Sequence, residues 1–233
     1  MRGTIADRIA AVRARVDAAA RRAGRNPAEV TVVAVSKTFP PDAVREAVAA
    51  GAEALGENRA QELREKAASL GRDPGAPWHF VGHLQSNKVR LVVGTAALIH
   101  SVDRFGLAEA IARRARALGI RQEVLIQVNV AGEATKEGVE PARAPALASE
   151  VSQLDGLVVR GLMTMTPFPG QPDDSRPYFR DLVALGAEVG ARIPGATMLS
   201  MGMSRDFEVA VEEGATIVRV GEAIFGARRR RSD

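Results

Sequence analysis

The chain has 233 residues, of which 46% are hydrophobic and 26% charged, and its formal net charge at pH 7 is +4. This length and apolar fraction suit one large α/β domain or two small ones and exclude a globally disordered chain. The sequence contains no cysteine, which excludes disulfides, thiol nucleophiles and thiolate metal ligands. It contains three histidines, His79, His83 and His100, and the pattern reveals no carboxylates arranged to complete a zinc site, so no metal is predicted.

The amino-terminal residues 1–8 lack the continuous apolar stretch of a signal peptide, and no segment approaches the roughly 18 apolar residues of a membrane span. We therefore expect a cytoplasmic protein without a membrane partner. Four consecutive arginines, Arg228 to Arg231, form a basic run in the tail over residues 228–233. Because aromatic stacking residues are sparse, this run indicates a solvated tail, and no nucleic-acid partner is expected.

Short apolar runs alternate with longer amphipathic stretches along the chain. A leading helix is predicted over about residues 3–23, followed by Gly24. Eight strands are predicted at residues 30–36, 52–56, 78–82, 97–101, 123–130, 157–163, 196–200 and 216–220. Helices are predicted between and after them at residues 41–50, 59–70, 86–93, 104–118, 141–153, 173–190, 205–213 and 222–227.

Eight strands that alternate with helices predict the α/β class, as a single (β/α)8 TIM-type barrel with an extra amino-terminal helix. The whole chain, residues 1–233, is predicted to be one domain with its core at about 30–227. The competing architecture is a doubly wound open sheet, which usually shows Gly-x-Gly-x-x-Gly after its first strand. Residues 36–41 instead read Ser-Lys-Thr-Phe-Pro-Pro, so the barrel is favoured.

Lys37 follows the first predicted strand, at the end of a run of apolar, β-branched residues. In an α/β barrel the carboxyl ends of the strands carry the chemistry. Partial desolvation there would lower the pKa of the ammonium and favour the neutral amine that forms a Schiff base. The alternative is an ordinary surface lysine, which describes most lysines in proteins.

Two segments near the end of the chain are typical of an anion site. Residues 200–204 read Ser-Met-Gly-Met-Ser, and Gly221-Glu222 follows the eighth predicted strand. Small residues let backbone N–H groups approach a phosphate, and loops after strands seven and eight recur as phosphate sites in barrels. The alternative is that Ser204 caps a helix and Gly202 occupies a turn. Glu222 would bring an acidic side chain near a phosphate unless it points away.

Arg219 lies within the apolar eighth strand. A buried arginine is costly unless it is paired or used on a ligand. A permanent positive charge facing a pyridine nitrogen would keep that nitrogen unprotonated and weaken the ring as an electron sink. The alternative is a structural salt bridge to a carboxylate on the same face.

With a lysine after strand one, a phosphate cradle after strands seven and eight, and Arg219, the chain resembles the pyridoxal phosphate homeostasis proteins, the YggS-like family. These are barrels related to the amino-terminal barrel of alanine racemase. The resemblance runs from about residue 30 to 227. Its motifs are residues 35–38, 56–58 with 61–62, 78–88, 101–103, 127–129, 160–163, 199–204, and 219–221 with 224–226.

The resemblance implies that pyridoxal 5′-phosphate is the cofactor and that Lys37 carries it as an internal aldimine. Asn58 would lie beside the ring and Arg219 would face the pyridine nitrogen. The implied phosphate contacts are Ser200, Ser204, Gly221 and the amide of Glu222. The family often has a small hydroxyl residue at the position of Glu222, so the implied contact there is through the backbone.

The resemblance also implies a binding protein in vitamin B6 homeostasis that holds or delivers the cofactor, with PLP-dependent apo-enzymes as candidate recipients. No catalytic residue is assigned, and a monomer is expected. Alanine racemases need a second base opposite the lysine. Tyr178, the only tyrosine, lies in the predicted helix 173–190. A weak amino-acid racemase that uses water or His83 as this base, and a cofactor-free Schiff-base aldolase, are the alternative functions.

Overall fold

A computed structural model describes residues 3–71, 74–133 and 136–227 of the chain. Its strands are β1 (Thr31–Val35), β2 (Ala54–Glu57), β3 (Trp78–Phe80), β4 (Leu98–Val102), β5 (Gln122–Val128), β6 (Leu157–Thr164), β7 (Met198–Ser200) and β8 (Ile217–Val220). Its α-helices are α1 (Ile5–Arg22), α2 (Pro41–Ala49), α3 (Ala60–Leu70), α4 (Val89–Val92), α5 (Phe105–Ala117), α6 (Ala144–Ser152), α7 (Arg176–Arg192), α8 (Phe207–Glu212) and α9 (Glu222–Phe225). The arginine run at 228–231 lies outside the described residues.

The eight strands are parallel and form one closed barrel in chain order. The barrel closes between β8 and β1, where Thr31 pairs with Ile217 and Ala34 pairs with Val220. The predicted (β/α)8 barrel with an extra amino-terminal helix is therefore confirmed. Three predicted helices, at 86–93, 141–153 and 173–190, begin instead with a turn of 3-10 helix. In two of these turns the first residue is a proline, Pro141 and Pro172, which is favoured at the start of a helix.

Side-chain alternation along the strands divides the apolar core into two layers. In β1, Val33 and Val35 lie inside the barrel, whereas Val32 and Ala34 face the helices. The inner layer is small and consists of Val33, Val35, Ala54, Val81, Leu98, Leu125, Met163 and Ile217, with Met198 packed against it. The outer layer, between barrel and helices, is much larger. The barrel interior therefore has room for polar side chains as well as aliphatic ones.

Helix α1 packs against α2, α8 and α9, on the side where the barrel closes. Its cap is a capping box made by Thr4 and Asp7, and its buried stripe includes Val12, Val16 and Ala19. None of the helices in the described part of the chain is both long and apolar enough to span a bilayer.

A pair of matched substitutions tests whether α1 is docked as described. Ala19 is fully buried and Ala18 is exposed on the same helix. Ala19→Leu should lower the free energy of unfolding by about 1–3 kcal/mol because the packed interface cannot accept the larger side chain. Ala18→Leu should change it by less than about 0.5 kcal/mol. Urea unfolding measures both, and equal effects would contradict the docking of α1.

Candidate functional site

The carboxyl ends of the strands bring together most of the residues predicted to bind a cofactor. Lys37 follows β1 and is half-buried, and Asn58 follows β2 and is half-buried too. Ser200 ends β7, and Arg219 lies in β8 with 5% of its surface exposed. In a parallel barrel these ends share one face, so the structure places these four residues at one end of the fold.

The backbone around Lys37 has an unusual conformation. Thr38 has a φ of +70°, and no other described non-glycine residue has a positive φ. For a β-branched residue this conformation is strained. It is held by hydrogen bonds on both sides of Lys37: Thr38 N–H donates to Glu62 Oε2 at 3.0 Å, and Phe39 N–H donates to Ser36 O at 3.0 Å. The turn that carries Lys37 is therefore fixed by its surroundings.

A buried ion pair supports the same turn from the helix side. Lys66, in α3, donates from Nζ to Ser36 O at 2.8 Å and also bonds the carboxylate of Glu57. Ser36 Oγ donates to Glu57 Oε1 at 2.5 Å. Burial raises the pKa of Glu57, and the nearby Lys66 and the Ser36 hydroxyl oppose that shift. Glu57 Oε2 has no hydrogen-bond partner among the described residues.

Asn58 presents an unpartnered polar atom at the site. Its Oδ1 is buried and has no hydrogen-bond partner in the described part of the chain. Its backbone is packed against Gly82, where a side-chain carbon added to the glycine would lie 2.1 Å from Asn58 O, so only glycine fits. A buried acceptor without a donor is costly, which makes Asn58 a candidate ligand-binding residue.

Arg219 is a buried cation that has no carboxylate partner among the residues that the structure describes. Its Nη1 donates to Ser200 Oγ at 2.6 Å and its Nη2 to Thr164 O at 2.7 Å. No carboxylate of the described residues forms an ion pair with it, so the structural salt bridge considered above is not present. Burial lowers the pKa of Arg219 to about 10, partly offset by the charge of Asp206.

Two histidines continue this polar chain through the barrel interior. His100 Nδ1 lies 2.9 Å from Ser200 Oγ, and His100 Nε2 lies 3.0 Å from His79 Nδ1. Burial lowers the pKa of His79 to about 4. Burial also lowers the pKa of His100 well below its ordinary value, with smaller effects from His79 and Arg219. Both imidazoles are therefore neutral near pH 7.

The two glycine-containing loops lie after β7 and β8. Gly202 has a φ of +87°, and Asp206 Oδ1 accepts a 2.7 Å hydrogen bond from Met203 N–H across the turn. Ser204 is half-buried and does not cap α8, because that helix begins at Phe207 after Asp206. The capping alternative for Ser204 is therefore wrong, and the turn lies at residues 204–206, after Gly202.

After β8, Gly221 packs against the end of β1: a side-chain carbon added to it would lie 3.2 Å from Val35 O. The side chain of Glu222 is exposed. The hydroxyl of Ser200 is bonded inside the barrel to Arg219 and His100. The phosphate roles of Ser200, Ser204, Gly221 and Glu222 remain predictions.

A further cluster on this face is made by His83, Asp103 and Glu137, which could offer three ligand atoms to a metal ion. His83 Nδ1 lies 3.3 Å from Glu137 Oε2 and 3.9 Å from Asp103 Oδ2. Asp103 also pairs with Arg104 at 2.7 Å. Sequence analysis missed this cluster, although each member follows a strand, because the three residues are far apart in the chain.

Sequence analysis also missed Glu57, Glu62 and Lys66 as supports of Lys37.

Two cavities open at the opposite, amino-terminal end of the barrel; one is lined by Trp78 and Gln122 and the other by His79. Neither is lined by a residue predicted to bind the cofactor. Barrels keep their chemistry at the carboxyl ends of the strands, so we place the candidate site there.

Comparison with known proteins shows similarity over nearly the whole chain. Residues 8–229 match the family model described as alanine racemase, N-terminal domain. Two relatives named pyridoxal phosphate homeostasis protein, from Aquifex aeolicus and Pseudomonas aeruginosa, are each 46% identical; the alignments cover 96% and 97% of this chain and 98% and 96% of the relatives. The solved structure of PipY from Synechococcus elongatus with PLP bound has a TM-score of 0.82 and 38% identity, covering 96% of this chain and all of PipY.

Relief of the strain at Thr38 should be measurable. Asparagine tolerates positive φ better than a β-branched residue, so Thr38→Asn should raise the free energy of unfolding by about 0.5–1 kcal/mol. Thr38→Val keeps the branched carbon and should give no gain. Chemical denaturation of both variants tests this expectation, and a gain with valine would show that φ is not the cause.

Removal of Lys66 should leave a buried carboxylate unpaired. Lys66→Met should destabilise the fold by about 3–5 kcal/mol at neutral pH. It should also raise the pKa of Glu57 further, because the opposing charge is lost. The folded state then holds a proton that the unfolded state releases, so the free energy of unfolding of the variant should rise as the pH falls from neutrality toward the ordinary pKa range of a glutamate.

Two further variants separate this effect from general damage. Lys88→Met, outside the cluster, should change stability by less than about 0.5 kcal/mol. Adding Glu57→Gln to Lys66→Met should recover part of the lost stability and remove the rise at low pH. If the double variant keeps the pH dependence, Glu57 is not its source.

Proposed function

Because the chain belongs to the pyridoxal phosphate homeostasis protein family, we propose that it binds pyridoxal 5′-phosphate (PLP) and holds it as a Schiff base on Lys37. The observation that carries this proposal is Arg219, a buried cation with no carboxylate partner among the described residues, on the same barrel face as Lys37. A buried charge of this kind is costly unless a ligand uses it. The family member PipY has been solved with PLP bound.

The residues at the strand ends fit the chemical groups of the cofactor. The guanidinium has five N–H donors, of which the bonds to Ser200 and Thr164 use two. A cationic donor facing the pyridine nitrogen favours its unprotonated form, because a second positive charge there would be repelled. Asn58 has an unused, buried acceptor at the same face. We assign Asn58 to the side of the ring and Arg219 to its nitrogen.

Lys37 is the lysine best placed for the covalent link. The sequence has four lysines: Lys37, Lys66, Lys88 and Lys136. Lys66 is buried and bonds Glu57 and Ser36, and Lys136 forms an ion pair with Glu133 at 2.9 Å. In its neutral form the Lys37 amine would attack the aldehyde carbon of PLP, and loss of one water would give the imine. The fixed turn around Lys37 would limit the freedom of this side chain.

The phosphate is assigned to the loops after β7 and β8. Ser204 and the backbone of Gly221 and Glu222 are the proposed contacts. The exposed side chain of Glu222 supports this assignment, since it leaves the backbone amide available without placing a carboxylate in the cradle. The hydroxyl of Ser200 has its two partners inside the barrel and its proton is directed to His100, so any phosphate contact of Ser200 would come from its backbone.

We infer that the protein acts in PLP homeostasis or delivery without turnover of its own. Two-base racemisation requires a proton donor opposite the lysine. The only tyrosine, Tyr178, lies on α7 in the outer helix layer. This position excludes Tyr178 as that donor, and a protein that holds PLP on one lysine without such a donor would store the cofactor. His83, on the same face as Lys37, remains the side chain on which the alternative racemase would depend. A cytoplasmic location, a monomeric state and transfer to PLP-dependent apo-enzymes belong to the same proposal.

The decisive experiment adds PLP to the purified protein, records the absorption spectrum, reduces the imine with borohydride and maps the modified peptide. An imine band and a reduced adduct on Lys37 are expected. Lys37→Ala should remove the adduct and keep the fold, because a turn lysine adds little to the core. Lys88→Ala is the matched control and should keep both. An adduct spread over the other lysines would overturn the assignment.

Turnover is tested on the same samples. Incubation of the PLP-loaded protein with L- or D-alanine should give racemisation no faster than free PLP gives. A rate well above that of free PLP, lost in Lys37→Ala, would show an enzyme and contradict the storage role.

A further inference from the structure

We propose that His79, His100 and Ser200 form a hydrogen-bond relay of fixed direction that positions Arg219 from inside the barrel. These residues lie on β3, β4 and β7, and Arg219 lies on β8. The relay concerns residues beyond those assigned to the cofactor. Its effect on bound PLP rests on the proposed function, whereas its existence does not.

The direction of the relay follows from what each group can donate. A guanidinium has no acceptor, so Arg219 Nη1 donates to Ser200 Oγ. The hydroxyl proton of Ser200 then goes to its other partner, His100 Nδ1, 2.9 Å away. His100 therefore carries its proton on Nε2 and donates it to His79 Nδ1 at 3.0 Å. His79 in turn carries its proton on Nε2.

The opposite direction leaves a buried group unsatisfied. If His100 Nδ1 carried the proton, Ser200 Oγ would accept from both His100 and Arg219. Its own proton would then have no acceptor among the hydrogen bonds of the described residues. Ser200 and His100 are fully buried, so that loss would cost the full desolvation of a hydroxyl.

Charge in the surroundings favours neutral histidines. Arg219 faces the relay at one end, and a second cation on His100 would be repelled by it. Asp206 acts on Arg219 from the loop after β7. At the other end, His79 lines the amino-terminal cavity together with Glu29, Glu53 and Glu123.

Two of these three carboxylates are already engaged. Glu53 accepts from Val32 N–H and pairs with Arg13, and Glu123 pairs with Arg160. The relay therefore ends at the cation Arg219 on the carboxyl face. Its other end lies near carboxylates that are mostly paired with arginines. His79 and His100 act as positioning residues, since they reach the candidate site only through Ser200 and Arg219.

The relay gives Arg219 a single orientation. With Nη1 held by Ser200 and Nη2 held by Thr164 O, the plane of the guanidinium is set, and its remaining N–H groups point in fixed directions. Without the acceptor on His100, the proton of Ser200 would have no partner among the described residues, and the hydroxyl that accepts from Arg219 Nη1 would lose its fixed direction.

The first test uses the protein without PLP. Nitrogen-15 NMR of the three histidines should show His79 and His100 as neutral tautomers with the proton on Nε2, and Ser200→Ala should move the Nδ1 signal of His100. His83→Gln, which removes the only histidine outside the relay, should leave both buried signals unchanged. A proton on Nδ1 of His100, or an imidazolium there at pH 7, would overturn the relay.

The second test uses the PLP-loaded protein. His100→Gln keeps one acceptor and one donor, whereas His100→Leu keeps neither. The leucine variant should lower the pH midpoint of the imine absorption band by about half a unit or more. With Arg219 no longer held against it, the pyridine nitrogen would gain a proton, and this added positive charge would disfavour protonation of the imine. The glutamine variant should stay near the wild-type midpoint.

The two tests separate this inference from the proposed function. Equal midpoints in the leucine and glutamine variants would show that the relay does not act on the cofactor. If wild-type protein forms no imine, the PLP proposal fails, and the tautomers still decide whether the relay exists. If the leucine variant does not fold, the wild-type tautomers and the response of the His100 signal to Ser200→Ala remain decisive for the relay.

Discussion

Closure of the barrel between β8 and β1 is the constraint on which the candidate site depends. The hydrogen bonds between these strands join residues that are far apart in the chain, such as Val33 and Arg219. Once the barrel is closed, a parallel sheet has no free edge, and all eight carboxyl ends lie on one face. The lysine after the first strand and the glycines after the last two are neighbours only because of this closure. Helix α1 packs against α2, α8 and α9 and covers the side where the barrel closes.

Burial of charge takes two forms in this barrel. Between the barrel and α3, the charges of Glu57 and Lys66 compensate each other and fix the turn that carries Lys37. Inside the barrel, the hydrogen bonds of Arg219 within the described part of the chain go to a hydroxyl and a carbonyl oxygen. The first arrangement pairs opposite charges and supports the turn, although Glu57 Oε2 has no hydrogen-bond partner among the described residues. The second leaves a cation without a counter-ion among the described residues, which is the electrostatic basis for an anionic or electron-rich ligand on this face.

A strained residue, a buried acceptor without a donor and a cation without a carboxylate partner lie at neighbouring strand ends. Thr38, Asn58 and Arg219 each depart from the rule that a folded chain relaxes its backbone and satisfies its buried polar groups. Their separate costs are offset by the remainder of the fold, above all by the apolar layer between barrel and helices. Such departures are concentrated where proteins bind ligands.

Much of the fold could be predicted from short-range pattern. Apolar β-branched runs and amphipathic stretches predicted all eight strands and the leading helix. This was possible because the spacing of buried side chains, alternating in a strand and 3.6-periodic in a helix, is visible within a few neighbouring residues. Element ends were less predictable. Strand β2 extends through Glu57, whose buried carboxylate is made possible by Lys66 nine positions later in the next helix, and no local pattern indicates that pair.

By itself, the sequence determined the succession of strands and helices, the lysine after β1, the arginine in β8 and the small residues after β7 and β8, since each depends on residue type and local spacing. Only the tertiary structure decided which polar groups meet. The ion pair behind Lys37 joins β2 to α3, and Glu62 of α3 holds Thr38 at its positive φ. Ser200 on β7 contacts His100 on β4 and Arg219 on β8. The physical reason is that hydrogen bonds and ion pairs act over about 3 Å in space, and only the packing of helices on strands and the closure of the barrel bring these residues within that range.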